Sequence, residues 1–393
     1  MQAILEFIQQ IAVGLILFGH AITLTFFPQT LIAVNEPARA ERGSAPARPA
    51  GGSTTSSVKL FPVAETVKPA KNPPIGSVEP RTDSSAASAT SSTVQTSTHA
   101  QPPTLLPQSV VNDAARAALV NIFCTTKSGG SLYPISGSGV LITTGGVILT
   151  NAHVGQYFLL RDYVVPNNVD CRIRTGSPAK NTYRAELLYL PPAWINANAS
   201  QIVAQEGMGT GQYDYAFLRI TSPMDVSRPL PETFAALTMT IDDATRNEAV
   251  LLAGYPAGFL SGITIEMSLY ISTALTHISD IFAFDDRGSA DIVSVGGSVV
   301  AQAGSSGGAV VRQQDGALQG IIATQTEAEN NKSTDARDLH AITLGHIDRA
   351  LRDAGMGGIA KLLSGDLETK ATDFATNIAP GERQKLIDVL NKH

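Results

Sequence analysis

The chain has 393 residues, 43% of them apolar and 16% charged, and a formal net charge of −6. That length holds two ordinary domains, or one large domain with appendages, and the apolar share is enough for a sizeable core. A negative balance without long charge runs excludes a nucleic-acid partner held by phosphate electrostatics. Having only two cysteines, Cys124 and Cys171, excludes a disulfide-dense mini-scaffold and a multi-cysteine metal site.

From Ile11 to Phe27 the chain is uncharged and apolar, and Ile4, Leu5, Phe7 and Ile8 extend the run upstream. Roughly 20 apolar residues span a bilayer, so residues 1–34 read as a single transmembrane helix. A cleaved signal peptide is the other reading, with a cut near Ala38–Ala40, although no basic residue precedes the apolar run. Residues 35–108 are dominated by Ser, Thr, Pro and Ala, and Phe61 is their one aromatic. Such a segment buries too little apolar surface to offset its chain entropy, which predicts a disordered linker, a stalk between membrane and domain. The stalk composition favours an extracytoplasmic domain, against the weak opposite signal of Arg39, Arg42 and Arg48.

From Ser109 the pattern becomes short β-rich runs broken by Gly, Pro, Asn and Asp. The predicted strands are Leu119–Cys124, Gly139–Ile142, Val147–Thr150, Arg184–Leu190, Tyr215–Ile220, Val250–Ala253, Thr264–Ile271, Ala309–Arg312, Leu318–Ala323 and Leu339–Ile342. One helix, His346–Ala354, closes the region. This is an all-β pattern, a sandwich or barrel, and it sets a domain over 109–355. Residues 356–393 are amphipathic, with a turn at Ala379-Pro380-Gly381, and form a tail too short for a further domain.

Three segments carry chemistry. Gly304-Ser305-Ser306-Gly307-Gly308 offers a hydroxyl among glycines that free backbone N–H groups to point at one spot. Thr150-Asn151-Ala152-His153-Val154 places a histidine just past a strand. Asp214-Tyr215-Ala216-Phe217-Leu218 places a carboxylate at the mouth of another. A serine nucleophile requires a base and a group to hold that base. Read singly, these are a flexible loop, a loop histidine and a strand-entry aspartate. In the order His, Asp, Ser they resemble the trypsin-like serine peptidases, particularly the bacterial HtrA-like members, and Val250–Pro256 resembles the strand and Gly-x-Pro turn that open the second barrel. The resemblance spans Ala114 to Ala354.

It implies a double six-stranded β-barrel and a serine endopeptidase acting on protein or peptide substrates without metal or organic cofactor. Ser306 would be the nucleophile, His153 the general base and Asp214 its orienter, with the N–H groups of Gly304 and Ser306 as oxyanion hole. Val300, Ala303, Ala323 and Thr324 would line an S1 pocket for a small or medium apolar P1 side chain. The sequence departs from the family in three ways. Ser305 stands where digestive members have Asp and HtrA-like members Asn, Val154 replaces a frequent Cys, and the residues beyond Ala354 are too few for a PDZ domain. Two other readings compete: a catalytically silent barrel that binds at a surface, and an α/β hydrolase using Gly304-x-Ser306-x-Gly308 as its elbow, which would require a helix after the serine. Cys124 and Cys171 fit either a bridge, in an oxidising compartment, or two buried thiols.

Overall fold

A computed structural model describes residues 61–62 and 105–393, apart from 129–131, 205–210, 287 and 327–337. The expected anchor and most of the expected linker lie outside these residues. Among the described residues no helix is long and apolar enough to cross a membrane.

Strands β2 (Leu119–Thr126), β3 (Ile135–Leu141), β4 (Val147–Thr150), β5 (Val169–Thr175), β6 (Lys180–Tyr189) and β7 (Ala216–Pro223) close into a barrel in the order β2-β3-β4-β7-β6-β5. Val120, Ile122, Val140, Ile148, Leu149, Ile173, Phe217 and Leu218, spread over both faces of its strands, are all but inaccessible. β-branched and aromatic side chains favour such a pleated, fully packed surface. Closure removes the open edges that a flat sheet would expose.

Among the described residues the second sheet has eight strands rather than the six expected. It contains β1 (Phe61–Pro62), β8 (Ala249–Gly254), β9 (Ser272–His277), β10 (Asp280–Ala283), β11 (Ile292–Ser294), β12 (Ala309–Arg312), β13 (Leu318–Thr326) and β14 (Asp338–Thr343), in the order β1-β10-β11-β14-β13-β12-β8-β9. Leaving β1 and β10 aside, its neighbour relations are those of the first barrel, opened between the second strand, β9, and the third, β11. β10 forms a hairpin with β11, and Phe61–Pro62 pairs with Phe282 and Ala283 at its outer edge.

The expectation of a strand at Thr264–Ile271 is corrected. Gly262–Met267 is a helix, with Ser261 as N-cap accepting from Thr264 N, and the strand follows at Ser272–His277. Apolar residues stand at every second position here, yet the helix buries none of its residues, and the Ser261 cap favours its start. Strand β5 was not anticipated, because Asp170, Arg172 and Arg174 interrupt its apolar pattern. Their charges are satisfied in place: Asp170 receives Arg172 and Arg184, and buried Arg174 donates to the carbonyls of Ala179, Ile265 and Glu266.

The closing helix runs Leu344–Asp353, capped by Thr343. Further helices, Gln108–Ala118 and Pro192–Asn198, were not expected. In the tail, Ala379-Pro380-Gly381 is not a turn but the start of helix Ala379–Leu390, since proline suits a first helical turn, where its missing N–H is not needed. Helix Gln108–Ala118 packs on β8 and β12 of the second sheet, whereas the tail packs on the first barrel against β6 and the Pro192–Asn198 helix. Cys124 and Cys171, directly opposed across β2 and β5, are joined as a disulfide.

Candidate active site

Strand β4 ends at Thr150, and Asn151 turns the chain into a short helix, Ala152–Gly155, that carries His153. Asp214 stands two residues ahead of β7, the neighbour of β4, so the two side chains meet at one end of the barrel. Both carboxylate oxygens of fully buried Asp214 are used on His153: Oδ1 accepts from the backbone N (2.9 Å) and Oδ2 faces Nδ1 (2.8 Å). An ionised carboxylate can only accept, so Nδ1 carries the proton and the Nε2 lone pair is left as acceptor. Asn151 Nδ2 donates to the Asp214 carbonyl (2.8 Å), which fixes the carboxylate's own backbone, and Gln156 Nε2 donates to the His153 carbonyl (3.0 Å). Burial pushes up the phenol pKa of Tyr215 beside Asp214 and of Tyr255 near the serine loop, so both remain neutral.

The Ser306 segment is held by Ser138, a buried residue of β3 that sequence reading passed over. Ser138 N donates to the Ser306 carbonyl (2.7 Å), and Ser138 Oγ donates to the Gly304 carbonyl (2.7 Å) while accepting from Tyr255 N (2.9 Å). The Ser138 carbonyl in turn accepts from Thr150 Oγ1 (2.7 Å), three residues before His153. One strand of the first barrel thereby sets the serine loop against the segment bearing the histidine. The glycines are required by the fit. Gly304 (φ +91°) and Gly307 (φ +82°) occupy left-handed backbone, and a Cβ on Gly307 would lie 2.1 Å from the Ser138 carbonyl oxygen. Ser306 is half-buried, and among the described residues no hydrogen bond joins it to His153. The N–H groups of Gly304 and Ser306 donate to no acceptor among those residues.

The four residues expected around S1 are placed differently from one another. Val300 is fully buried in the second sheet's core with Ala301, and its Cγ1 approaches Gly254. Ala323 is buried in β13, Thr324 continues that strand opposite His340, and Ala303 is exposed, its carbonyl accepting from Ala257 N (2.7 Å). The elbow of an α/β hydrolase is ruled out, because the serine leads into strand β12 of an antiparallel sheet rather than into a helix. Among the described residues no group of His, Cys, Asp and Glu has the arrangement of a metal site.

No curated protein matches the sequence. Among solved structures the chain is similar to the Rv3671c protease from M. tuberculosis in its active form, at 16% identity over 68% of this chain and 93% of that one, with a TM-score of 0.38. A family model described as the trypsin-like peptidase domain matches residues 137–321, a span that contains His153, Asp214 and Ser306. The chain therefore carries a trypsin-like peptidase domain, and with it the serine peptidase class of hydrolase.

Proposed function

We propose that the chain is a serine endopeptidase working through Ser306, His153 and Asp214, with preference for a small or medium apolar P1 residue. The observation that carries this reading is the double anchoring of His153 on the Asp214 carboxylate, beside a serine loop docked on Ser138. Ser306 Oγ attacks the scissile carbonyl carbon while its proton passes to His153 Nε2. Asp214 holds the ring in the required tautomer and stabilises the imidazolium without taking the proton. The N–H groups of Gly304 and Ser306 donate to the oxyanion, the kind of stabilisation worth about 10²–10³ in rate per donor. Nε2–H then protonates the leaving amine as the C–N bond breaks. A water that gives its proton to His153 next attacks the acyl-enzyme and frees Ser306.

The P1 preference is supported by the uncharged character of Val300, Ala303, Ala323 and Thr324. A P1 arginine there would meet no carboxylate, and burying an unpaired charge costs several kcal/mol, on the order of two decades or more in specificity. The disulfide supports a domain working in an oxidising compartment, tethered through the apolar run 11–27. Loss of membrane retention on deleting residues 1–34 would support the tether, and unchanged retention would sink it. The main test is labelling with a fluorophosphonate. The folded protein should react at Ser306, and the Ser306→Ala variant should not. An unlabelled but folded wild type would leave the silent binding barrel as the better reading, and peptide-library cleavage chiefly after Arg or Lys would overturn the P1 assignment.

A further inference from the structure

A second buried histidine sits behind the catalytic aspartate. His346, in the first turn of helix Leu344–Asp353, is 8% exposed. Its Nδ1 lies 3.0 Å from Asp291 Oδ1, and its Nε2 lies 2.7 Å from the backbone carbonyl of Gln212, two residues before Asp214. A carbonyl only accepts, and so does an ionised carboxylate, so the ring satisfies both partners only as an imidazolium. Asp291 is built to be ionised. Burial opposes its charge, but the His346 ring, the Phe284 N–H (2.8 Å to Oδ2) and the Arg349 guanidinium (2.7 Å to Oδ1) together hold its carboxyl well below the usual range.

The other groups around the ring complete its surroundings. The Phe284 ring lies with its centroid 4.9 Å away, Thr343 Oγ1 accepts from His346 N, and Asp243 reaches the far side of Arg349 at 3.8 Å. Asp291, Arg349 and Asp243 are thus the charged groups of this cluster.

What the cluster grips is the turn that presents Asp214. Gly211 O accepts from Asp214 N (3.3 Å), so residues 211–214 form one tight turn, and Gln212 projects its carbonyl from the middle of it toward the second sheet. The turn also rests on that sheet directly, since a Cβ on Gly211 would come within 2.9 Å of Ile292 Cδ1 in β11. Asp214 belongs to the first barrel by sequence, but the backbone ahead of it is held by a residue of the closing helix.

We propose that His346 is a positioning residue, an imidazolium clamped between Asp291 and the Gln212 carbonyl that fixes the 211–214 turn and so holds the Asp214 carboxylate on His153. This rests on the catalytic reading given above and extends it to the second half of the domain. Losing the ring frees the Gln212 carbonyl, the turn relaxes, and the Asp214–His153 geometry loosens without any change to residues that touch substrate.

The test compares the full chain with its His346→Phe and Asp291→Asn variants, using Ser306→Ala as the blank, for kcat and KM on a peptide substrate between pH 5.5 and 9. Phenylalanine keeps the ring packing and removes both donors. The expected result is a kcat lower by roughly 10–100-fold, the scale of a small misplacement at a catalytic group, with KM little changed and cooperative unfolding retained. Asp291→Asn should give a smaller fall, because it removes the carboxylate that orients the ring through Nδ1 while the Nε2 contact to the Gln212 carbonyl can persist. This variant decides the matter should His346→Phe fail to fold. Wild-type kcat in either folded variant, or a loss confined to KM, overturns the proposal. If the wild type neither labels nor cleaves, the catalytic reading fails by itself. The clamp is then judged from the downfield proton resonance of the His153 Nδ1–H, which His346→Phe should shift and broaden; an unchanged resonance overturns it.

Discussion

Replacing Ser138 by alanine removes one oxygen from the centre of the domain. That oxygen accepts from Tyr255 N and donates to the Gly304 carbonyl, and Ser138 and Tyr255 are both fully buried. Alanine fits the space but leaves an N–H and a C=O without partners. A buried group stranded in this way costs about 1–3 kcal/mol, so the pair amounts to about 2–6 kcal/mol. The backbone bond from residue 138 to the Ser306 carbonyl survives, and the loop should stay docked at that point. The peptide after Gly304, however, loses the anchor that orients it, and the Gly304 and Ser306 N–H groups proposed to form the oxyanion hole lie on either side of it. We expect kcat to fall by at least roughly tenfold, short of the 10²–10³ cost of deleting one donor outright, with KM little altered. Urea unfolding can be followed through Trp194, the sole tryptophan and fully buried. The midpoint should drop at unchanged slope. A stability change within about 0.5 kcal/mol, the range of ordinary surface substitutions, together with unaltered kcat, would refute the view that this hydroxyl organises the loop.

Gly307→Ala should cost activity and stability, since its Cβ would strike Ser138 O and Thr150 Oγ1 in a left-handed conformation that alone costs about 1–2 kcal/mol. Gly262→Ala, where nothing lies within 4 Å, is the matched control, and equal effects at the two positions would contradict this. Removing the disulfide by Cys124→Ala with Cys171→Ala, across a separation of 47 residues, should cost about 4 kcal/mol on a chain-entropy account. Two reactive thiols in natively secreted, denatured protein would disprove the bridge. In alkali, burial pushes the Tyr157 phenol up to about 12. Its stabilising contribution is therefore complete below its ordinary pKa of about 10 and lost as pH climbs toward 12. Tyr157→Phe should flatten that limb. In acid, burial opposes the charge of Asp170, but Arg184 and Arg172 hold its pKa below the usual range. Its contribution is present above the ordinary carboxylate pKa of about 3.9 and lost as pH falls, so an Asp170→Asn variant with an unchanged acid limb would contradict the pairing.

The sequence made the apolar strands legible because their side chains are the core: Val147–Thr150 and Ala309–Arg312 are found within the bounds expected of them. The meeting of His153 with Asp214 was legible because their segments, followed by that of Ser306, resemble a family pattern in the order His, Asp, Ser. Ser138 was not. In Ser136-Gly137-Ser138-Gly139 it has the look of a loop, and only the barrel shows that its hydroxyl faces two backbone groups far along the chain. The part played by His346, read from the sequence only as the start of the closing helix, was hidden for the same reason, since Asp291 and Gln212 come to it through the fold. The paired charges of β5 hid a strand because period-two reading treats an arginine as a solvent-facing residue, whereas Arg174 is 1% exposed.

The way the helices flanking the two sheets cross over has a consequence for synthesis. The helix Gln108–Ala118 precedes the first barrel yet lies on the second sheet, and the tail follows the second sheet yet covers the first barrel, where Phe374 stacks edge-on to Tyr189 and Lys385 reaches Asn196. A nascent chain emerges from its N-terminus at about 5–20 residues per second. When the first barrel's strands are all out, its lid is still unmade, and the helix made before it has nothing to rest on. The packing of helix Ala379–Leu390 on the Pro192–Asn198 helix can therefore form only after every strand of the second sheet has been made.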